Sequence, residues 1–440
     1  MGLKYIEPIK SFLLFFLVGL SLTLTVMIWN YKPNHQVIEK PAVEDALTQE
    51  SKTMKAILKP YRAVARVEDT FKGTTSASYI ESILSYFESV KATDLTLINN
   101  NLSVQQINEL MTNNNRLMLF SSAEVPLQNF TDILKFETED LPEMSFDRII
   151  IDWNNVNRNR ELTVFLLNTT NRTLYSTVIE NQIESTVLTT FVEPTKSFYI
   201  YTEIKLANAL SVYTVINPVE AVKYMGYMKE IPIEKFKKIL FQHQDIIQQY
   251  DENATTKKYN DGMSIMTVDT KNRILNYVYP FSEGLAYITP SRLLNETFDF
   301  INEHGGYNAD YRLSSINAAK HVVDYQLYYQ GLPVFSFETT TKISTTWGDE
   351  EIYKYRRPYY VLEMDIPNEM KIKELPSGVE IVEDYFESQS NVKDLVLGYY
   401  LVQNLELHVF ELEPAWFILR ENSWERIKLE NIGGMASGLE

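Results

Sequence analysis

The side chains able to do chemistry are few, and none falls into a pattern that a reaction needs. Cysteine is absent, which removes the thiolate nucleophile, the soft metal ligand and the disulfide together. The five histidines, His35, His243, His304, His321 and His408, are scattered, and no two sit at the i, i+2 or i, i+4 spacing that puts two imidazoles of a zinc site on one strand or helix face. The nucleophile elbow G-x-S-x-G, the phosphate loop G-x-x-x-x-G-K-[ST] and the zinc helix H-E-x-x-H do not occur. His304-Gly305-Gly306 has the composition of an oxyanion loop. Without a serine elbow it reads as a helix end, with histidine favoured by the dipole and glycine as the cap. Asp299 and Glu303 lie four apart and could be a glycosidase's acid/base pair, but on a helix that spacing describes a solvated face. Thr346-Trp347-Gly348-Asp349 could stack a sugar; a core tryptophan at a hairpin end is the simpler reading. These residues predict no enzyme, no metal and no cofactor.

The elements that must position any function begin with residues 11–29, SFLLFFLVGLSLTLTVMIW, a run of 19 residues without a charge. At about 1.5 Å per residue a helix of this length matches the roughly 30 Å hydrocarbon core of a bilayer. The run ends in bulky Met27-Ile28-Trp29-Asn30-Tyr31, not in the small residues of a cleavage site, so an uncleaved transmembrane helix is expected in place of a signal peptide. Trp29, Tyr31 and Lys10 suit the two membrane–water boundaries. Lys4 and Lys10 outweigh Glu7, which places residues 1–10 in the cytoplasm and the bulk of the chain outside a cell membrane. Within the run, Gly19 and Thr23, and likewise Ser21 and Thr25, are small residues four apart. Such faces let membrane helices approach closely, and the hydroxyls can hydrogen-bond across.

With 41 basic and 58 acidic residues the net charge is −17, and Lys4, Lys10 and Lys32 leave the remainder more acidic still. Nucleic acid and anionic polymers are disfavoured as partners. Residues 30–59, with Pro33 and Pro41, read as a stalk that is partly helical near 44–58. Residues 60–215 read as a mixed α/β domain. Ile80, Ile83, Leu84 and Phe87 mark a helix over 78–90 with Ser78 and Glu81 as its capping box, and a second helix covers 104–111. Strands are expected at 95–98, 116–120, 148–153 and 161–168, the last two separated by an Asn-rich turn at 154–159. Residues 216–288 open at Pro232 with a long helix carrying Phe236, Ile239, Leu240, His243, Ile247 and Tyr250 on one stripe, then strands at 263–269 and 274–279. Residues 289–440 repeat the plan. Thr289-Pro290-Ser291 opens a helix lined by Leu294, Phe298 and Ile301, and Gly305-Gly306 ends it. Strands follow at 311–317, 322–329 and 334–340, the last two joined by Gly331-Leu332-Pro333, and further β signals lie at 359–364, 395–412 and 416–419. The fold class is therefore α+β, with two later units of helix plus antiparallel sheet.

Particular motifs carry a likeness. Lys4-Tyr5-Ile6-Glu7-Pro8-Ile9-Lys10-Ser11 before the apolar run, Thr297-Phe298-Asp299-Phe300-Ile301-Asn302-Glu303-His304-Gly305-Gly306-Tyr307, Tyr329-Gln330-Gly331-Leu332-Pro333, Thr346-Trp347-Gly348, Tyr355-Arg356-Arg357 and Leu412-Glu413-Pro414-Ala415-Trp416 together resemble the YycH (WalH) family. The resemblance implies single-pass proteins of low-GC Gram-positive bacteria with a large extracytoplasmic part and no catalytic activity. It implies association with the sensor histidine kinase WalK (YycG) and a sister regulator, YycI, and control of signalling to WalR (YycF), which governs cell-wall metabolism. It gives the face of Gly19 and Thr23 more weight, because family members meet the kinase through transmembrane helices. It leaves open an unknown extracytoplasmic ligand. The rival readings are a tethered wall-active glycosidase and a passive scaffold for wall-synthesis proteins.

Overall fold

Leu117-Met118-Leu119-Phe120 and Ile149-Ile150-Ile151 are apolar runs without alternation, and a strand of that kind needs cover on both faces. In the computed structural model, which describes residues 14–25, 51–284, 286–363, 371–386, 392–404, 409–420 and 423–428, they are central strands of a nine-stranded sheet. Its spatial order is Val212–Val215, Tyr199–Ile204, Thr70–Thr74, Arg62–Val67, Arg116–Pro126, Ser145–Asp152, Leu162–Asn168, Thr173–Ile179, Thr96–Asn99. Neighbouring strands are antiparallel throughout. Ala63, Ala65, Leu117, Leu119, Ile149 and Ile151 pack with Ile80, Ile83, Leu84 and Phe87 of the helix Ala77–Glu88. The alternate residues Val64, Met118, Phe120 and Ile150 pack with Ile107 and Met111 of the helix Val104–Met111. The sheet is thus covered on both sides.

Local signals are shifted in places. Ser76, not Ser78, caps the first helix, accepting from the Tyr79 amide at 3.3 Å. The expected box does not form, because Ser78 meets the Ser76 hydroxyl and Glu81 is drawn to Lys55 and Lys59. A full capping box occurs instead at Ser103 and Gln106. The Asn-rich turn contains a helical turn, Val156–Asn159, closed by left-handed Arg160. Of the expected stalk, residues 30–50 lie outside the described residues. Its end is core: Met54–Ile57 forms a helical turn, and Ile57 and Leu58 are buried, since two adjacent aliphatic side chains gain from leaving water.

The second half opens with the helix Ile233–Leu240, shorter than its apolar stripe predicts. Phe241 is already extended, the amide of His243 is taken by Asp261, and Ile247 and Tyr250 pass into and beyond a 3-10 turn toward the strand Gln248–Asn253. A four-stranded meander follows: Gln248–Asn253, Thr256–Asn260, Ile265–Asp269, Ile274–Val278. The helix Pro290–Glu303 starts a second copy of this plan, with strands Asp310–Asn317, Val322–Tyr329, Lys342–Trp347 and Ile352–Pro358. Thr289 caps the helix, and Gly305 and Gly306, both at positive φ, end it as expected. The two meanders join through their last strands, antiparallel, with Tyr277 opposite Tyr355. Equivalent strands paired this way relate the two units by a local pseudo-two-fold, and the expected units 216–288 and 289–440 share one sheet.

The short strand Leu332–Phe335 interrupts the second meander. Its turn is Gln330-Gly331, both at positive φ, starting one residue earlier than expected; Leu332 and Pro333 are already in the strand. The strand expected to continue to residue 340 stops at Phe335, because Ser336 turns the chain by binding Leu401 O and capping the Glu338 amide. The β signal at 395–412 is two strands, Val392–Asn404 and Val409–Arg420, paired antiparallel. With Val219–Glu230 and the short strands Tyr360–Glu363, Lys371–Leu375 and Ser423–Arg426 they complete a fifteen-stranded sheet among the described residues.

Candidate functional site

Residues 14–25 are helical and exposed along their whole length. Thr23 Oγ1 donates to Gly19 O at 3.1 Å and Leu20 O at 2.8 Å, and Thr25 Oγ1 donates to Ser21 O at 2.8 Å. The hydroxyls are therefore satisfied inside their own helix, so a partner helix gains contact area on this face more than new hydrogen bonds. A Cβ added at Gly19 meets nothing within 4 Å, which leaves that face open. Lys10, Trp29 and Tyr31 lie outside the described residues, as do the ends of the expected span. Among the described residues no helix is long and apolar enough to cross a membrane.

The candidate reactive groups are held apart. His304 is the C-cap of its helix, with Nδ1 2.8 Å from Phe300 O and its ring stacked on Phe300. Its glycines are a packing joint: a Cβ on Gly305 would come within 3.0 Å of Phe236 and Arg357, and Arg357 donates to Gly306 O. His321 is buried and left-handed, its Nδ1 3.3 Å from Trp347 O. His243 precedes a short 3-10 turn, while His35 and His408 lie outside the described residues. No group of three His, Cys, Asp or Glu side chains that could hold a metal forms among the described residues. Asp299 is pushed above its ordinary range by burial and by the charges of Glu303 and Glu296 on the same helix. Trp347 is 7% exposed, and a Cβ on Gly348 would fall 1.8 Å from Ser282 O, so this tetrapeptide clamps the Ile352–Pro358 hairpin onto the segment around Ser282. A cleft of about 290 Å³ does hold two carboxylates, Glu230 and Glu363. Each is half-exposed and ion-paired, to Arg273 and Lys229 respectively. A glycosidase acid is enclosed and free of a cation, whereas each of these is solvated and engaged by one.

The most specific polar constellation is one the sequence did not single out. Arg62 and Asp394, 3% and 5% exposed, form an ion pair in which Nη2 donates to both carboxylate oxygens at 2.9 Å. Arg62 Nη1 also donates to Tyr213 O and Leu395 O, and its guanidinium lies 4.4 Å from the centre of the Phe120 ring. Tyr61 donates to Asp394 as well. Burial and the Asp394 charge push this phenol well above its ordinary range, so it stays a donor. The pair bolts the strand Arg62–Val67 of the first half to Val392–Asn404 of the second. Arg312 repeats the device, donating to Pro60 O at 3.1 Å while paired with Asp310. Neither arrangement contains a reacting group; both fix one half on the other.

This molecule of two docked halves is matched by two family models. The YycH protein N-terminal domain covers residues 7–196 and the YycH protein C-terminal domain covers residues 211–434. The chain belongs to the YycH family. The family's two-domain division falls between residues 196 and 211, immediately before Val212–Val215, the strand that closes the first sheet. A YycH relative from Bacillus subtilis (strain 168), the two-component system WalR/WalK regulatory protein YycH, is 21% identical over 438 residues, spanning 93% of this chain and 94% of the relative. The crystal structure of YycH from Bacillus subtilis superposes with a TM-score of 0.73 at 16% identity, covering 87% of this chain and 98% of that one. At that identity the likeness establishes the YycH fold.

Proposed function

We propose that this protein is a membrane-anchored regulator of a WalR/WalK two-component system, acting by binding and not by turnover. One observation carries the reading: both halves match YycH family models, and a relative bearing that regulatory title aligns over 93% of the chain. In this reading residues 11–29 span the membrane with Trp29, Tyr31 and Lys10 at its boundaries and residues 1–10 in the cytoplasm. The face of Gly19, Ser21, Thr23 and Thr25 packs against transmembrane helices of the kinase. The bulk of the chain stands outside the cell, where it meets a sister protein of the YycI kind, and the output is cell-wall homeostasis. A helix contact that favours one signalling state by about 1–3 kcal/mol shifts kinase output roughly 5- to 150-fold.

The test replaces residues 11–29 with an unrelated spanning helix and compares detergent-solubilised pull-downs of the two full-length forms by mass spectrometry. Recovery of the sensor kinase with the native segment and its loss with the replacement support the reading. Recovery of wall-synthesis proteins with both forms and of the kinase with neither would give the protein a scaffold role instead.

A further inference from the structure

A second cleft, of about 380 Å³, lies in the second half between the outer face of the shared sheet and the Val409–Arg420 hairpin, under the loop that follows Phe335. Its volume falls at the small end of ligand sites. One side is aromatic. Phe335 packs against Phe417 and Trp424 with centroids 4.4 and 6.1 Å away, and Phe337 reaches over Tyr400 at 5.7 Å. Phe337 is 80% exposed, an aromatic ring left in water beside a cavity.

The opposite side is basic. Lys342 and Arg356 line the cleft, and neither forms an ion pair among the described residues; Arg356 has only a 3.4 Å contact to Asn276 Oδ1. In a chain of net charge −17, two cations without carboxylate partners on one cleft form a local exception. Arg426 is already occupied, stacked 4.2 Å over Tyr400 and bound to Glu413, and the rim acid Glu338 accepts from the Gln403 amide.

Between the two sides lies Gln326, 3% exposed. Its amide nitrogen donates to Thr341 O, Thr341 Oγ1 and Val334 O, which fixes the orientation of the amide. Its carbonyl oxygen has no partner in the protein. That oxygen is enclosed by the protein, so Gln326 forms the packed floor of the cleft.

We propose that this cleft binds an extended acidic peptide segment, with a carboxylate on Lys342 and Arg356 and an adjoining apolar side chain against Phe337 and Trp424. Charge complementarity selects this occupant. A nucleic acid would need more cations than two, and a neutral glycan would leave both cations uncompensated. The site is separate from the membrane segment and does not depend on the kinase reading.

The test is titration calorimetry of the full-length protein in detergent micelles with the N-acetylated, C-amidated peptide Ala-Phe-Glu-Phe-Ala and its Gln isostere Ala-Phe-Gln-Phe-Ala, so that the glutamate side chain carries the sole carboxylate. Saturable binding of the acidic peptide, about tenfold or more tighter than the isostere, is expected from a charge-assisted pair. The double variant Lys342→Ala/Arg356→Ala should remove that preference, and Phe337→Ser should weaken both peptides. Equal affinity for the two peptides on the wild-type protein overturns the proposal without recourse to any variant. So does absence of saturable binding, and so does equally tight binding of N-acetylmuramic acid, which would hand the cleft to an anionic sugar.

Discussion

Arg62, Arg312 and Arg357 are at most 3% exposed, and each holds together pieces of chain distant in sequence. From sequence an arginine reads as a solvated face, and nothing in the residues around position 62 announces that its partner lies at position 394. Truncating one member of such a pair leaves the other charge buried and unpaired. Asp394→Ala is expected to cost about 3–5 kcal/mol in urea unfolding. Asp69→Ala, at an ion pair whose aspartate is 80% exposed, is expected to cost below about 1 kcal/mol. Asp261 offers a second residue-level test, through pH. Burial raises its carboxyl, but the Ser264 and Met263 amides, the Ser264 hydroxyl and the His243 amide outweigh burial and hold it below the ordinary range. A carboxyl depressed in the folded state contributes stability above its unfolded pKa and loses it as pH falls through the folded one. The stability difference between wild type and Asp261→Asn should therefore be constant at neutral pH and shrink from about pH 4 downward, as read from urea midpoints. A difference that does not shrink would show that the carboxylate charge contributes nothing there.

Helices with strong local signals were legible, and those ended by distant partners were not. The helix Pro290–Glu303 carries its own start and stop: Thr289, Pro290 and the pair Gly305-Gly306. The helix from Pro232 carries only an apolar stripe, and a hydrogen bond from Asp261 decides that the chain has left it by His243. Strands 116–120 and 148–153 were legible as strands but not as the centre of a nine-stranded sheet, since pairing order is set by non-local contacts. The spacing of Gly19, Ser21, Thr23 and Thr25 can be read from sequence; the back-bonding of the Thr23 and Thr25 hydroxyls, a matter of rotamer, cannot. The cleft around Gln326 gave no sequence signal, because its walls come from six separated stretches. At the Ala77–Glu88 helix, sequence and structure disagree on the cap, and mutation can decide. Ser76→Ala should cost about 0.5–2 kcal/mol, the usual worth of an N-cap, whereas Ser78→Ala should stay within about 0.5 kcal/mol, both by thermal unfolding.

At the scale of the molecule, the two halves meet over a joint that is both apolar and polar. Met118, Phe120 and Tyr213 of the first half share a buried cluster with Tyr328, Val396 and Phe417 of the second. Around it sit the Arg62–Asp394 pair, Asn129 on Asn295, and Gly331, whose added Cβ would lie 2.3 Å from Thr75 O. Ahead of the first strand, Lys52 exchanges two 3.1 Å hydrogen bonds with Asn302 on the Pro290–Glu303 helix. Lys55 and Lys59, a few residues on, pair with Glu81 and Glu88 of the first half, so this segment is fastened to both halves. A chain of this size need not unfold in one step, so cooperativity measures the joint directly. Trp153 is in the first half and Trp347, Trp416 and Trp424 are in the second, so tryptophan fluorescence weights the second half while far-UV circular dichroism reports both. For the wild type the two probes should trace one coincident urea transition. For Asp394→Ala the fluorescence and dichroism midpoints should separate, because a buried guanidinium without its carboxylate weakens the contact between halves more than the interior of either. Coincident transitions in the variant would mean that the shared apolar cluster alone couples the halves, and that the ion pair sets their register without setting their cooperativity.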